Sequence, residues 1–130
     1  MLKRPRLDDR LIAPAALTTM DQFHADVVRE VQEVVARDPV VVLGMAQNPH
    51  VGRVMRALDG AGVRYTYMEF GSYLSAWRKR LAIKMWSGWP TFPQVFVRGT
   101  LIGGEDLTKA ALTDGSLKST LGGLSIVASA

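Results

Sequence analysis

Apolar residues Phe23, Val27, Val28, Val31, Val34 and Val35 recur at intervals of three and four, with Glu30, Glu33 and Arg37 between them. This period predicts an amphipathic helix, with Thr19 or Asp21 available to cap it. Asp38-Pro39 ends that helix, because the residue before a proline is pushed out of helical backbone geometry. The unbroken apolar run Val40-Val41-Val42-Leu43 follows, the pattern of a central parallel strand covered on both faces. Asn48-Pro49 then offers a capping side chain ahead of a proline suited to a first helical turn, and Val51, Val54, Met55 and Leu58 supply the buried stripe up to Gly60-Ala61-Gly62. Val63 to Phe70 alternates and is rich in Tyr and Thr, predicting a second strand parallel to the first and hence a βαβ unit.

Leu74, Trp77, Leu81 and Met85 are spaced for a third helix over Tyr73 to Trp86, with Arg78, Lys79, Arg80 and Lys84 around them. On this reading Trp77, Trp86 and Trp89 belong to the core, and the cations form a solvated face. The two prolines of Trp89-Pro90-Thr91-Phe92-Pro93 exclude both a helix and a regular central strand. Gln94 to Val97 and Thr100 to Ile102 flank Arg98-Gly99 as a tight hairpin. Gly103-Gly104-Glu105-Asp106 permits a sharp turn into a helix over Leu107 to Leu112, and the chain after Lys118 becomes small and polar. The expected organisation is a flexible arm over 1–18, one domain over 19–118 and a tail over 119–130.

Composition narrows the chemistry more than the fold. The 130 residues suit a single core, and a net charge of +4 without a block of like charges leaves binding to nucleic acid or anionic lipid open but unprompted. The apolar run Leu11 to Leu17 is broken by Pro14 and preceded by Asp8 and Asp9, so neither a signal core nor a membrane span is expected, and a cytoplasmic location is. His24 and His50 lack partners at ligand spacing, so no metal site is expected. The chain has no cysteine, which removes disulfides, thiolate catalysis and cluster ligation by its own sulfur.

The order βαβ then ββα resembles the glutaredoxin family of the thioredoxin superfamily, and two segments make the resemblance specific. Trp89-Pro90-Thr91-Phe92-Pro93-Gln94-Val95-Phe96-Val97 is similar to the family's W-P-T-[YF]-P-Q-[LVI]-[FYW]-V, and Leu101-Ile102-Gly103-Gly104-Glu105-Asp106 to its L-[IV]-G-G-x-D. The likeness covers roughly residues 23–118 and its second half most resembles the monothiol members. It implies an α/β, thioredoxin-like fold with a central mixed four-stranded sheet flanked by helices. In the first half, Asn48 stands where the nucleophilic cysteine belongs, Val51 at the second cysteine, and Met45 where a lysine is usual.

The resemblance further implies a glutathione site. Phe92 would offer its backbone beside a cis Pro93, Asp106 would meet the γ-glutamyl amine, and Arg80 would meet the glycyl carboxylate, with Thr91, Gly104 and Glu105 completing the set. Asp106 reads equally as a helix-start residue. Without sulfur the expected role is noncatalytic: a module that needs no cofactor and holds glutathione noncovalently, or one that binds a protein partner, in redox homeostasis. The alternative is an accessory subunit of a thiol oxidoreductase or iron–sulfur system whose partner supplies the cysteines. No nucleic-acid or membrane partner is expected.

Overall fold

The computed structural model describes residues 2–122. Strand β1 (Val40–Gly44) is buried along its whole length. It pairs in parallel with β2 (Thr66–Glu69) on one side and antiparallel with β3 (Gln94–Val97) on the other. Strand β4 (Thr100–Gly103) closes the mixed four-stranded sheet in the order β2-β1-β3-β4. Arg98 and Gly99 both take positive φ, 49° and 78°, as a two-residue hairpin turn requires.

The period-two alternation of β1 and β3 sorts the core into two layers. Val41, Leu43 and Phe96 face one way, onto Val27, Val31 and Val35 of α2 (Ala25–Arg37) and Ile83 of α4 (Trp77–Ser87). Val40, Val42, Val95 and Val97 face the other, onto Val54 and Leu58 of α3 (Pro49–Gly60), Ala111 of α5 (Glu105–Asp114) and Leu117 of α6 (Ser116–Leu121). The expected fold class, a mixed four-stranded sheet flanked by helices, and the chain order βαβ then ββα stand.

The structure redraws the boundaries at both ends of the domain. Helix formation begins ahead of Thr19, in α1 (Pro14–Gln22), because Pro14 occupies the first turn, where its missing donor costs nothing. A break follows at Phe23-His24, with His24 left-handed at φ 46°, and α2 starts there without a side-chain cap from Thr19 or Asp21. Where the sequence suggested a flexible arm, residues 9–11 form a 3-10 turn and 14–22 a helix, though none of these residues is buried. At the other end the helix expected over Leu107 to Leu112 runs from Glu105 to Asp114. The packed chain continues past Lys118 to Leu121, since Leu117 and Thr120 are both buried. The rest of the expected tail, 123–130, lies outside the described residues.

Helix α4 turns the other way round from its apolar stripe. It buries Arg80, Ala82 and Ile83, leaving Trp77, Leu81 and Met85 exposed at 53%, 38% and 53%. Arg80 is the reason an inward cation is tolerated. Its guanidinium donates to the carbonyls of Phe70 at 2.9 Å and Ser75 at 2.6 Å, so the buried charge has acceptors. Trp86 does join the core, stacked on Phe96 with ring centroids 5.6 Å apart.

This orientation predicts a sharp asymmetry on one helix. Ile83→Ala, at a fully buried position, should cost about 2–5 kcal/mol in urea unfolding. Leu81→Ala should cost under about 1 kcal/mol. Equal losses would place the stripe in the core after all.

Candidate functional site

The site begins where β1 ends and α3 starts. A helix leaves its first N–H groups without intrahelical acceptors. Asn48 supplies one: its Oδ1 accepts from the His50 N–H at 2.9 Å and from the Val51 N–H at 3.4 Å. Its Nδ2 donates to the Phe92 carbonyl at 3.3 Å, tying the helix start to the Pro-rich loop. A neutral amide therefore caps the helix and bridges to residue 92 at once. Val51 and Met45 are both buried in the core, so neither presents a polar or reactive group.

The Phe92–Pro93 peptide bond is cis, and Phe92 packs its ring inward. The Phe92 N–H has no acceptor among the described residues. Behind the loop, Gln94 is fully buried. It accepts from Ser87 Oγ at 2.8 Å and donates to the Trp89 carbonyl at 3.1 Å, holding residues 87–94 as one unit. The Trp89 ring lies against Gly104, where a Cβ would fall 3.3 Å from Trp89 Nε1 and 3.4 Å from the Pro93 carbonyl. That close approach explains the glycine. Gly103 adds a positive φ of 134°, and a Cβ there would meet Leu107 Cδ1 at 2.9 Å.

These segments enclose a cleft of about 540 Å³ lined by His50, Trp89, Thr91, Phe92, Gly104, Glu105, Asp106 and Leu107. Five of the sequence-derived site residues, Thr91, Phe92, Gly104, Glu105 and Asp106, thus meet around one opening, with Pro93 beneath it. Arg80 does not join them: its guanidinium is engaged with Phe70 and Ser75, on the loop before α4. Asp106 is exposed in the first turn of α5, whose cap residue is Gly104. No side-chain cap bond forms there, so any contribution of Asp106 to the helix start comes through its charge.

Glu105 has a role that motif reading missed. Its Oε2 accepts from Arg53 Nε at 2.8 Å and from Lys109 Nζ at 2.7 Å, and its Oε1 lies 2.7 Å from His50 Nδ1. At that distance Nδ1 carries its proton and donates to the carboxylate, so Arg53, 3.0 Å away, cannot also donate to it. Hydrogen bonds from Arg53, then Lys109 and His50, hold the Glu105 carboxyl well below the usual carboxylate range. The cluster fastens α3 to α5 across the mouth of the cleft. Only the spacings His50 to Arg53 and Glu105 to Lys109 were visible in sequence. Among the described residues, no three His, Asp or Glu side chains converge as a metal site.

The chain matches the glutaredoxin family model over residues 40–102. It is 52% identical over 98 residues to a glutaredoxin-like protein of Dictyostelium discoideum, covering 75% of this chain and 80% of that one. Among solved structures it is similar to oxidized glutaredoxin 2 from Chlamydomonas reinhardtii, at 28% identity and a TM-score of 0.67, covering 76% of this chain and 94% of the other. It is also similar to a buckwheat glutaredoxin in complex with glutathione, at 25% identity and a TM-score of 0.67, covering 81% and 98%.

The Glu105 cluster carries a pH signature. A carboxyl whose folded pKa is depressed contributes stability that is present above its unfolded value, 4.5, and is lost as pH falls toward the folded one. The urea midpoint of the natural chain should therefore drop as pH is lowered from about 5 to about 3. Glu105→Gln should lose part of that drop while unfolding earlier at neutral pH. Parallel pH profiles for the two proteins would show that the cluster adds nothing to stability.

Proposed function

The chain belongs to the glutaredoxin family, and from that membership we propose that it is a noncatalytic member which binds glutathione noncovalently, or a protein carrying similar extended backbone, at the cleft beside Phe92. The observation that carries this reading is Asn48 in the nucleophile's place. Thiol–disulfide exchange requires a thiolate, and the chain has no cysteine to provide one. An amide at the start of α3 keeps the helix capped while leaving no group able to form a mixed disulfide.

What favours retained binding is the convergence of Thr91, Phe92, Gly104 and Asp106 on one opening, with a free Phe92 N–H to donate to a peptide carbonyl. What weakens it is equally specific. The Asn48 amide already occupies one side of the Phe92 carbonyl, Met45 is buried where a cation is usual, and Arg80 is committed elsewhere. Each missing charge-assisted bond removes about 1.5–3 kcal/mol, roughly tenfold to a hundredfold in affinity. Weak binding follows from these losses.

Titration with reduced glutathione, followed by amide shifts, tests this. Saturable shifts at Thr91, Phe92 and Asp106, with Arg80 unmoved and the response lost in Asp106→Ala, are expected. No shift by about 10 mM would remove glutathione as a ligand and leave the protein-binding half of the proposal.

A second measurement tests the reading of Asn48. In Asn48→Cys the new thiol would stand at the amino end of α3, so its pKa should fall below the ordinary value of about 8.5, and glutathionylation absent from the natural chain should appear. A thiol titrating at or above that value would mean this helix start is not equivalent to a family active site.

A further inference from the structure

Helix α4 carries an apolar ridge that its own fold does not use. Trp77, Leu81 and Met85 follow one another at four-residue spacing along one side of α4, at 53%, 38% and 53% exposure, and Leu74, in the turn ahead of the helix, is 95% exposed. On a helix of 3.6 residues per turn, Arg78 and Lys84 fall on the two shoulders of this ridge. Arg78 is drawn over the Trp77 ring, its guanidinium carbon 4.5 Å from the centroid, which keeps the cation at the edge of the apolar surface. Between Trp77 and Ser87 the helix has no carboxylate and, besides the buried Arg80, three cations, Arg78, Lys79 and Lys84. Past its carboxyl end the basic surface continues: Arg4 and Arg6 of the amino-terminal segment join Lys84 and Met85 around an open hollow of about 770 Å³.

We propose that this face of α4, with the adjoining basic segment, docks on an anionic lipid surface. An apolar ridge rich in Trp, Leu and Met between two cationic shoulders suits a helix lying in the plane of a bilayer, with apolar side chains at the acyl boundary and cations at the phosphates. A second copy of the chain would bring like charges together on both shoulders. A nucleic acid would satisfy the cations but offer no layer in which to bury Leu81 and Met85. An acidic protein surface must supply carboxylates in register with cations on both flanks, whereas anionic lipid presents phosphates on every side. The sequence reading expected no membrane partner, finding no apolar run long enough to span one and no charge block to prompt anionic lipid binding, and among the described residues no helix is long and apolar enough to cross. Lying on the surface needs no span. The ridge lies outside the cleft and adjoins it at Lys84, whose Nζ is 5.8 Å from the centroid of the Phe92 ring; vesicle binding is read without glutathione, so the proposal stands or falls without that reading.

The test is sedimentation of the full chain with vesicles of phosphatidylcholine alone and of phosphatidylcholine mixed with phosphatidylglycerol, at low salt and at about 0.5 M salt. Binding to the mixed vesicles alone, weakened by salt, is expected. Arg78→Gln and Lys84→Gln should each reduce it roughly fivefold. Leu81→Ser combined with Met85→Ser should reduce it about tenfold or more with the circular dichroism unchanged. Trp77→Phe should remove a blue shift of tryptophan emission on binding. Absence of binding to mixed vesicles at low salt would overturn the proposal and return the face to an acidic protein partner. Equal binding to neutral vesicles, or binding indifferent to the Leu81 and Met85 changes, would overturn it as well.

Discussion

A helix that starts at the end of a central strand presents unpaired N–H groups and a partial positive charge to whatever lies beyond it. In this chain the first turn of α3 has that position, and the group that answers it decides what the surrounding residues can do. Asn48 answers with a neutral oxygen, and its remaining amide protons reach across to the Phe92 carbonyl. The same side chain satisfies the helix and fixes the Pro-rich loop against it. The absence of sulfur and the soundness of the fold are therefore compatible at a single residue.

The opposite wall of the cleft rests on packing rather than on charge. Fully buried Gln94 spans Ser87 and Trp89, and Gly103 and Gly104 permit the hairpin to turn into α5 close against the Trp89 ring. Glu105 then links α5 back to α3 through Arg53 and His50. A pair of helices on one face of the sheet is thus joined at its rim by an ionic cluster, and beneath by the apolar layer of Val54, Leu58, Ala111 and Leu117.

Much of this was legible in the sequence because the signals were local. The run Val40 to Leu43, the Asn48-Pro49 start, the Arg98-Gly99 turn and the Gly103-Gly104 corner each depend on residues a few positions apart. What escaped depended on partners far along the chain. The periodicity of α4 identified a helix but not its inward face, since burial of Arg80 depends on carbonyls of the preceding loop, and the Leu74-to-Met85 stripe is equally periodic on either side. The Glu105 to His50 contact joins residues 55 positions apart, and no spacing rule announces it. The second half of α6 was read as tail because the chain after Lys118 is small and polar, yet Thr120 is buried along with Leu117.

Arg80 grips the loop before α4 by main-chain oxygens, at Phe70 and Ser75. The loop is also held from within, where the hydroxyls of Ser72 and Ser75 bond each other and accept from the N–H groups of Leu74 and Ser72. Gly71, at φ 64°, has no room for a side chain, since a Cβ would fall 2.6 Å from the Ser75 carbonyl oxygen. Only the exposed Tyr73 and Leu74 are free to change in chemical character, and adding or removing a single residue would shift a carbonyl out of the reach of Arg80.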